Sequence, residues 1–198
     1  MPSLVLASGS ETRQRLLRQA GVAFDIHVAP VDEPAIRASL AAEGASPRDV
    51  ADVLAETKAL RVSAKRPGAL VLGADQVLEI DREVLAKPGT ADEAVAQITR
   101  LAGQTHRLMT AAVIVQDGEP LWRHVATTRM HMAARSPEWI RAYVARNWPA
   151  IGSSVGGYRI EEEGIRLFTR IEGDYFAILG LPLLEVLTYL TLRGVLES

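Results

Sequence analysis

The chain contains no cysteine, which excludes disulfide scaffolds, thiol nucleophiles and cysteine-held zinc or iron–sulfur sites. It has no surplus of positive charge, because 22 basic and 24 acidic side chains leave a formal net charge of −2. Proteins that grip a nucleic acid polymer by its phosphates show a basic excess or a basic stripe. Neither is present, so no nucleic acid partner is expected, whereas a small anionic ligand needs only a few well-placed cations. Long apolar runs are also missing: the longest, near Ile178 to Leu184, is interrupted by Gly180 and Pro182. The opening Met1-Pro2-Ser3-Leu4-Val5-Leu6-Ala7 is too short and uncharged for a signal peptide. The expectation is a cytoplasmic protein without a membrane partner.

Several familiar catalytic signatures are lacking as well. There is no phosphate-binding GxxxxGK[ST] loop, no dinucleotide-binding GxGxxG and no GxSxG nucleophile elbow. His27, His106, His124 and His131 show no spacing suited to zinc. Trp122, Trp139 and Trp148 read as packing residues rather than a base-stacking platform.

What is present is an ordinary globular balance, 198 residues with 48% apolar and 23% charged. That suits one domain, or two lobes sharing a cleft. Leu4–Ala7 reads as a buried strand ending in the polar turn Ser8-Gly9-Ser10, followed by a helix from Glu11 to Gln19. Phe24 to Ala29 looks extended, with Asp32 and Glu33 on a loop or strand end beyond it. Ser46-Pro47-Arg48-Asp49 starts a helix that runs to about Lys65. Ala69–Ala74 reads as a buried strand interrupted by Asp75-Gln76 and resumed by Val77–Ile80. Thr90-Ala91-Asp92-Glu93 is a capping box for a helix closed by Gly103. Thr105–Gln116, Asp117-Gly118 and Leu121–Met132 form a long β-hairpin pattern. Ser136-Pro137-Glu138 caps a further helix, Ile151–Glu163 reads as a surface loop, Ile165–Ile171 as a strand, and Pro182–Leu192 as a last helix. Interspersed strands and helices define an α/β class with a mixed sheet.

Three places carry candidate chemistry. At Ser8-Gly9-Ser10 a strand enters a helix start, where free N–H groups and the helix dipole favour an anion. Arg13, one turn in, reaches the same region; taken by itself, the motif reads as an ordinary cap with a solvated arginine. Asp75 interrupts apolar residues on both sides, so it needs a cation, a metal or several donors. A turn aspartate bonding local amides is the plainer reading. Glu33, Lys58 and Lys87 each read alone as solvated residues, and matter only in combination. Two carboxylates and a few cations are the minimum kit for a divalent metal and a triphosphate, which carries about four negative charges.

Ordered segments span nearly the whole chain. They are Leu4-Val5-Leu6-Ala7-Ser8-Gly9-Ser10 with Arg13 and Leu16-Leu17, Val31-Asp32-Glu33, and Leu54-Ala55-Glu56-Thr57-Lys58-Ala59. Gly73-Ala74-Asp75-Gln76-Val77, Leu85-Ala86-Lys87-Pro88, and Gly103-Gln104-Thr105-His106 with Thr110 follow. Ile171-Glu172-Gly173-Asp174-Tyr175 and Gly180-Leu181-Pro182-Leu183 complete the set. Together these segments resemble the Maf family. The resemblance implies a single two-lobed α/β domain around a cleft, often dimeric. It implies hydrolysis of nucleoside triphosphates between the α- and β-phosphates, with magnesium or manganese. By the same resemblance Asp75 is the general base or metal-linked acid, Glu33 helps hold the metal, and Ser8, Arg13, Lys58 and Lys87 hold phosphates.

The chain departs from the family pattern at Glu11-Thr12, before Arg13, and at Ala177, before Gly-Leu-Pro-Leu. Asp75-Gln76-Val77 resembles the subgroup acting on 7-methyl-GTP, whereas Gly103-Gln104-Thr105-His106 resembles the dTTP/UTP subgroup. The competing readings are a nucleotide-binding regulator that inhibits septum formation with little turnover, and a phosphatase or nucleotidyl transferase built from the same kit.

Overall fold

Short apolar runs bounded by turn residues alternate with capped helical segments, and the computed structural model, which describes residues 3–197, folds them as a mixed α/β structure. The strands are β1 (Leu4–Leu6), β2 (Asp25–Ile26), β3 (Leu70–Ile80), β4 (Glu83–Leu85), β5 (Thr105–Gln116), β6 (Glu119–Met132) and β7 (Phe168–Glu172). The helices are α1 (Glu11–Gln19), α2 (Glu33–Ala42), α3 (Pro47–Ser63), α4 (Ala91–Leu101), α5 (Pro137–Asn147), α6 (Tyr175–Ile178) and α7 (Leu183–Leu192). The sheet runs β2-β1-β3-β5-β6-β7, with β4 against β3. It is mixed: β1 is parallel to β2 and β3, whereas the β3–β4 and β6–β7 pairs are antiparallel. No helix among the described residues is long and apolar enough to cross a membrane.

The chain divides into two compact units, and β3, β5 and β6 each contribute residues to both. The first comprises the stretch up to Gln76, Thr110–Ala126 and the stretch from Asp174 onward. Its core follows the two-residue period of its strands. Leu4, Leu6, Leu70, Leu72, Ala74, Ala112 and Ile114 cluster with Leu16 and Leu17 of α1 and with Leu183, Val186 and Leu190 of α7. The odd-numbered residues of β3 face the other way, toward α3, whose Ala51, Leu54, Ala55 and Ala59 are fully buried. Gly73 makes that approach very close, since a Cβ there would stand 2.1 Å from the Ala55 carbonyl oxygen. The β5–β6 hairpin turns at Asp117 and Gly118, both at positive φ (49° and 82°), the geometry that asks for Asp-Gly. Trp122 packs by stacking on Tyr189, with ring centroids 5.3 Å apart.

The second unit comprises Val77–Met109 and Thr127–Gly173. Its buried polar groups are bonded locally in part, for His106 Nδ1 and the Tyr143 hydroxyl are buried without a hydrogen-bond partner. Glu79 accepts from Arg107 Nε at 2.6 Å and Nη2 at 3.2 Å, and from the Arg82 backbone N–H at 2.8 Å, which pins the β3–β4 turn. His106 Nε2 lies 2.7 Å from the Tyr158 hydroxyl. Burial, and then the nearby His131, push His106 down to about 4. Trp139 stacks on Tyr143 in this unit.

Five details differ from expectation. Asp32 and Glu33 do not lie on a loop: Asp32 caps α2 by accepting from the Ala35 N–H, and Glu33 opens that helix. The strand at Asp75-Gln76 is not interrupted, because both side chains find partners (below) and the ladder continues to Ile80. Ile151–Glu163 is not a surface loop, for Ile151, Val155, Tyr158 and Ile160 are buried, and Gly157 seats close to Ala94 and Ile98 of α4. The stretch before Phe168 is a 3₁₀ turn (Glu163–Leu167) rather than strand. Thr90 caps α4 as expected, yet the Glu93 carboxylate takes the Gly89 N–H, so the box does not close on Thr90.

Candidate functional site

Two neighbouring clusters of polar groups form within the first unit. In one, Ser8 follows β1 directly and is 7% exposed. Ser10 caps α1, its side chain accepting from the Arg13 N–H. One turn in, Arg13 sends Nη1 to Ser8 Oγ at 3.0 Å and Nε to the Gly180 carbonyl at 2.7 Å. Gly180 has a φ of +105°, which presents that carbonyl to the guanidinium, and a Cβ there would come within 3.3 Å of Arg13 Nε. Burial lowers the Arg13 guanidinium from the usual arginine value, while Asp75 and then Glu33 oppose that shift. The plain solvated-arginine reading does not hold for this residue.

The second cluster centres on Asp75, 5% exposed within β3. Strand alternation turns Asp75 toward α3 and Gln76 to the opposite face. Because Ala55 and Ala59 lie against Gly73, Lys58 on the same helix lands over Asp75. Its Nζ is 2.6 Å from Asp75 Oδ1 and 2.7 Å from Glu33 Oε1, a single ammonium bridging two carboxylates. Arg37, one turn after Glu33 on α2, closes the other side. Its Nη2 is 3.2 Å from Asp75 Oδ2 and 3.9 Å from Glu33 Oε2, while its Nη1 is buried without a hydrogen-bond partner. Asp75 therefore bonds side-chain cations, and the turn-aspartate reading is overturned.

Gln76 is engaged on the other face. Its Nε2 donates to Thr110 Oγ1 at 2.9 Å, the Ala177 carbonyl at 2.9 Å and the Ile178 carbonyl at 3.1 Å. Thr110 Oγ1 itself donates to the Ala177 carbonyl at 2.8 Å. These bonds tie α6 to β3 and so help place Gly180, which holds Arg13. They also explain how Ala177 serves here: its backbone carbonyl, not its side chain, is the contact.

The structure thus joins Ser8 with Arg13, and Glu33 with Lys58 and Asp75. Lys87 belongs to the second unit, exposed just beyond β4. Arg37 was not among the expected residues. Its signal was the four-residue spacing from Glu33, visible only once Glu33-Pro34 is read as a helix start. Among the described residues no three His, Asp or Glu side chains gather closely enough to hold a metal by themselves.

Fold and site define an α/β protein that sets a cation-bridged carboxylate pair, one member buried, beside a helix N-terminus carrying a half-buried arginine. The chain belongs to the Maf family, whose model, described as Maf-like protein, matches residues 3–192. It is 51% identical over 195 residues to a nucleoside triphosphate pyrophosphatase of Ruegeria pomeroyi, covering 98% of each chain. It is 48% identical to a nucleoside triphosphate pyrophosphatase of Caulobacter vibrioides, over 98% of this chain and 96% of that one. It is also 48% identical to a 7-methyl-GTP pyrophosphatase of Mesorhizobium japonicum, over 98% of each.

Proposed function

We propose that the chain is a nucleoside triphosphate pyrophosphatase that hydrolyses the bond between the α- and β-phosphates. Water adds its oxygen to the α-phosphorus, the bridging oxygen leaves with the β- and γ-phosphates, and the products are a nucleoside monophosphate and pyrophosphate. The observation that carries this reading is the buried Asp75 carboxylate, paired on both oxygens by cations that also serve Glu33, in a chain similar throughout to named pyrophosphatases.

In this reading Asp75 orients the attacking water and accepts its proton. Lys58, already bridging both carboxylates, screens charge that develops on the phosphates, and Arg13 with Ser8 holds phosphate oxygens at the start of α1. For Lys87 the support is the resemblance of Leu85-Ala86-Lys87-Pro88 alone. Asp75 and Glu33 are hard oxygen donors suited to magnesium or manganese. Two carboxylates suffice for such an ion when water and substrate phosphates complete its shell. When bound, the ion supplies Lewis-acid screening of the phosphate oxygens.

The test is a nucleotide panel that includes 7-methyl-GTP, dTTP and UTP, with magnesium or manganese and with products identified by chromatography. Monophosphate and pyrophosphate in equal amounts are expected. Orthophosphate release, or transfer to an acceptor, would contradict the reading. Tight binding without turnover with either metal would move the protein to the regulatory role.

A further inference from the structure

Arg37 stands out among the cations of the first unit. The Arg13 guanidinium has a carbonyl and a hydroxyl to bond. Lys58 has two carboxylate oxygens. Arg37 has Asp75 at 3.2 Å through Nη2, a looser Glu33 contact at 3.9 Å, and a buried Nη1 that bonds nothing. Among the described residues it is the one cationic side chain with a buried nitrogen lacking a partner. A charged donor withdrawn from water and left unbonded is unfavourable, and such groups are kept where a ligand completes them.

The charges give a second argument. Both oxygens of Asp75 are occupied, Oδ1 by Lys58 and Oδ2 by Arg37. With a cation on each oxygen, one acceptor direction of each is already engaged, and withdrawal of Arg37 would open a further direction at Oδ2 for a water proton. A polyphosphate offers a guanidinium more charge, and a planar fork can bond two of its oxygens at once. We propose that Arg37 is a phosphate ligand: on nucleotide entry it passes from Asp75 to non-bridging phosphate oxygens, using the free Nη1, and thereby releases Asp75 Oδ2. Substrate arrival and unmasking of the base become one event. The inference rests on the hydrolytic reading given above for its second half, the unmasking, but not for its first.

The experiment measures binding of a non-hydrolysable α,β-methylene triphosphate by calorimetry in metal-free buffer, beside steady-state turnover. Arg37→Gln is expected to weaken the analogue about 10- to 100-fold, the size of a lost charge-assisted pair. Arg37→Lys, which keeps the charge and loses the fork, should recover part of that affinity. KM should rise with the dissociation constant while kcat changes much less. A residue that merely pins Asp75 would do the reverse, lowering kcat with the analogue bound as before, and that result overturns the proposal. If Arg37→Gln fails to fold by circular dichroism, the Arg37→Lys affinity decides: unchanged affinity sinks the idea. Should the unsubstituted protein bind the analogue through Arg37 yet release no pyrophosphate from any hydrolysable nucleotide of the panel, the hydrolytic reading falls while phosphate ligation stands.

Discussion

Asp75 and Glu79 are both buried carboxylates on β3, 5% and 3% exposed, and their surroundings differ in kind. Glu79 is saturated: Arg107 meets it with two nitrogens and a backbone N–H takes the remaining direction. Its partners serve nothing else at that point, and the outcome is a fixed turn. Asp75 shares both of its cations with a second carboxylate, Glu33, and one of those cations holds an unused buried donor. Burial of an acid is therefore not what marks a reactive centre. The mark is a set of charges whose mutual bonding is incomplete until something enters.

The comparison predicts that the two acids fail in different currencies when altered. The largest effect belongs to Asp75→Asn, which should lower kcat for pyrophosphate release by about 10²- to 10⁴-fold, the usual worth of a general base. Its fold should persist, checked by circular dichroism, because Glu33 still pairs Lys58. Retained turnover would remove Asp75 from the mechanism.

A second expectation concerns His106, another polar group buried in the second unit. His106 titrates near 6.5 when unfolded and at about 4 when folded, because burial and then His131 disfavour its charged form. Between those values the unfolded chain binds more protons. The stability His106 contributes is complete above the unfolded value and disappears as the pH drops toward 4, a loss of about 3 kcal/mol. Urea unfolding at pH 7.5 and at pH 4.5 should show that loss in the parent, and a smaller one in His106→Asn. Equal losses in the two proteins would show that another group carries the acid sensitivity.

The smallest effect is assigned to Glu79→Ala. Arg107 is half exposed and can turn to water, so the expected cost is about 2 kcal/mol of stability with kcat unchanged. Thermal unfolding and an activity assay read the two quantities separately. A fall in activity without a fall in stability would erase the distinction between the two acids.

Much of the fold was legible where the chain carries explicit punctuation. Ser10, Ser46, Thr90 and Ser136 each cap a helix through their side chains, and Asp117-Gly118 turns the long hairpin. Helix α2 was missed because none of its residues is fully buried and its half-buried side mixes Ile36 and Leu40 with the charged Glu33 and Arg37, which blurs the apolar stripe. Composition misled at Ile151–Glu163, where glycines let the backbone fit closely inside rather than loop outside. Ser8, Arg13, Glu33, Lys58 and Asp75 were named through motif resemblance rather than spacing alone, as phosphate or metal contacts and not as partners of one another. Arg37 was lost together with its helix, since a cation four residues from Glu33 means nothing on a loop. Nor was Glu79 singled out, although its setting among apolar residues matches that of Asp75; only the three-dimensional partners separate them.

The contact between Gly73 and Ala55 reaches further than packing. Lysine is a long and mobile side chain, and most lysine ammonium groups wander over several ångströms. Here main chain lies against main chain one helical turn from Lys58, so the base of that side chain is set by backbone, and two carboxylates hold its end. Enlarging Gly73 would wedge helix from strand and shift the ammonium away from the acid it serves. Any redesign of this centre for a bulkier ligand would have to treat Ala55, Lys58 and Gly73 as one mechanical part.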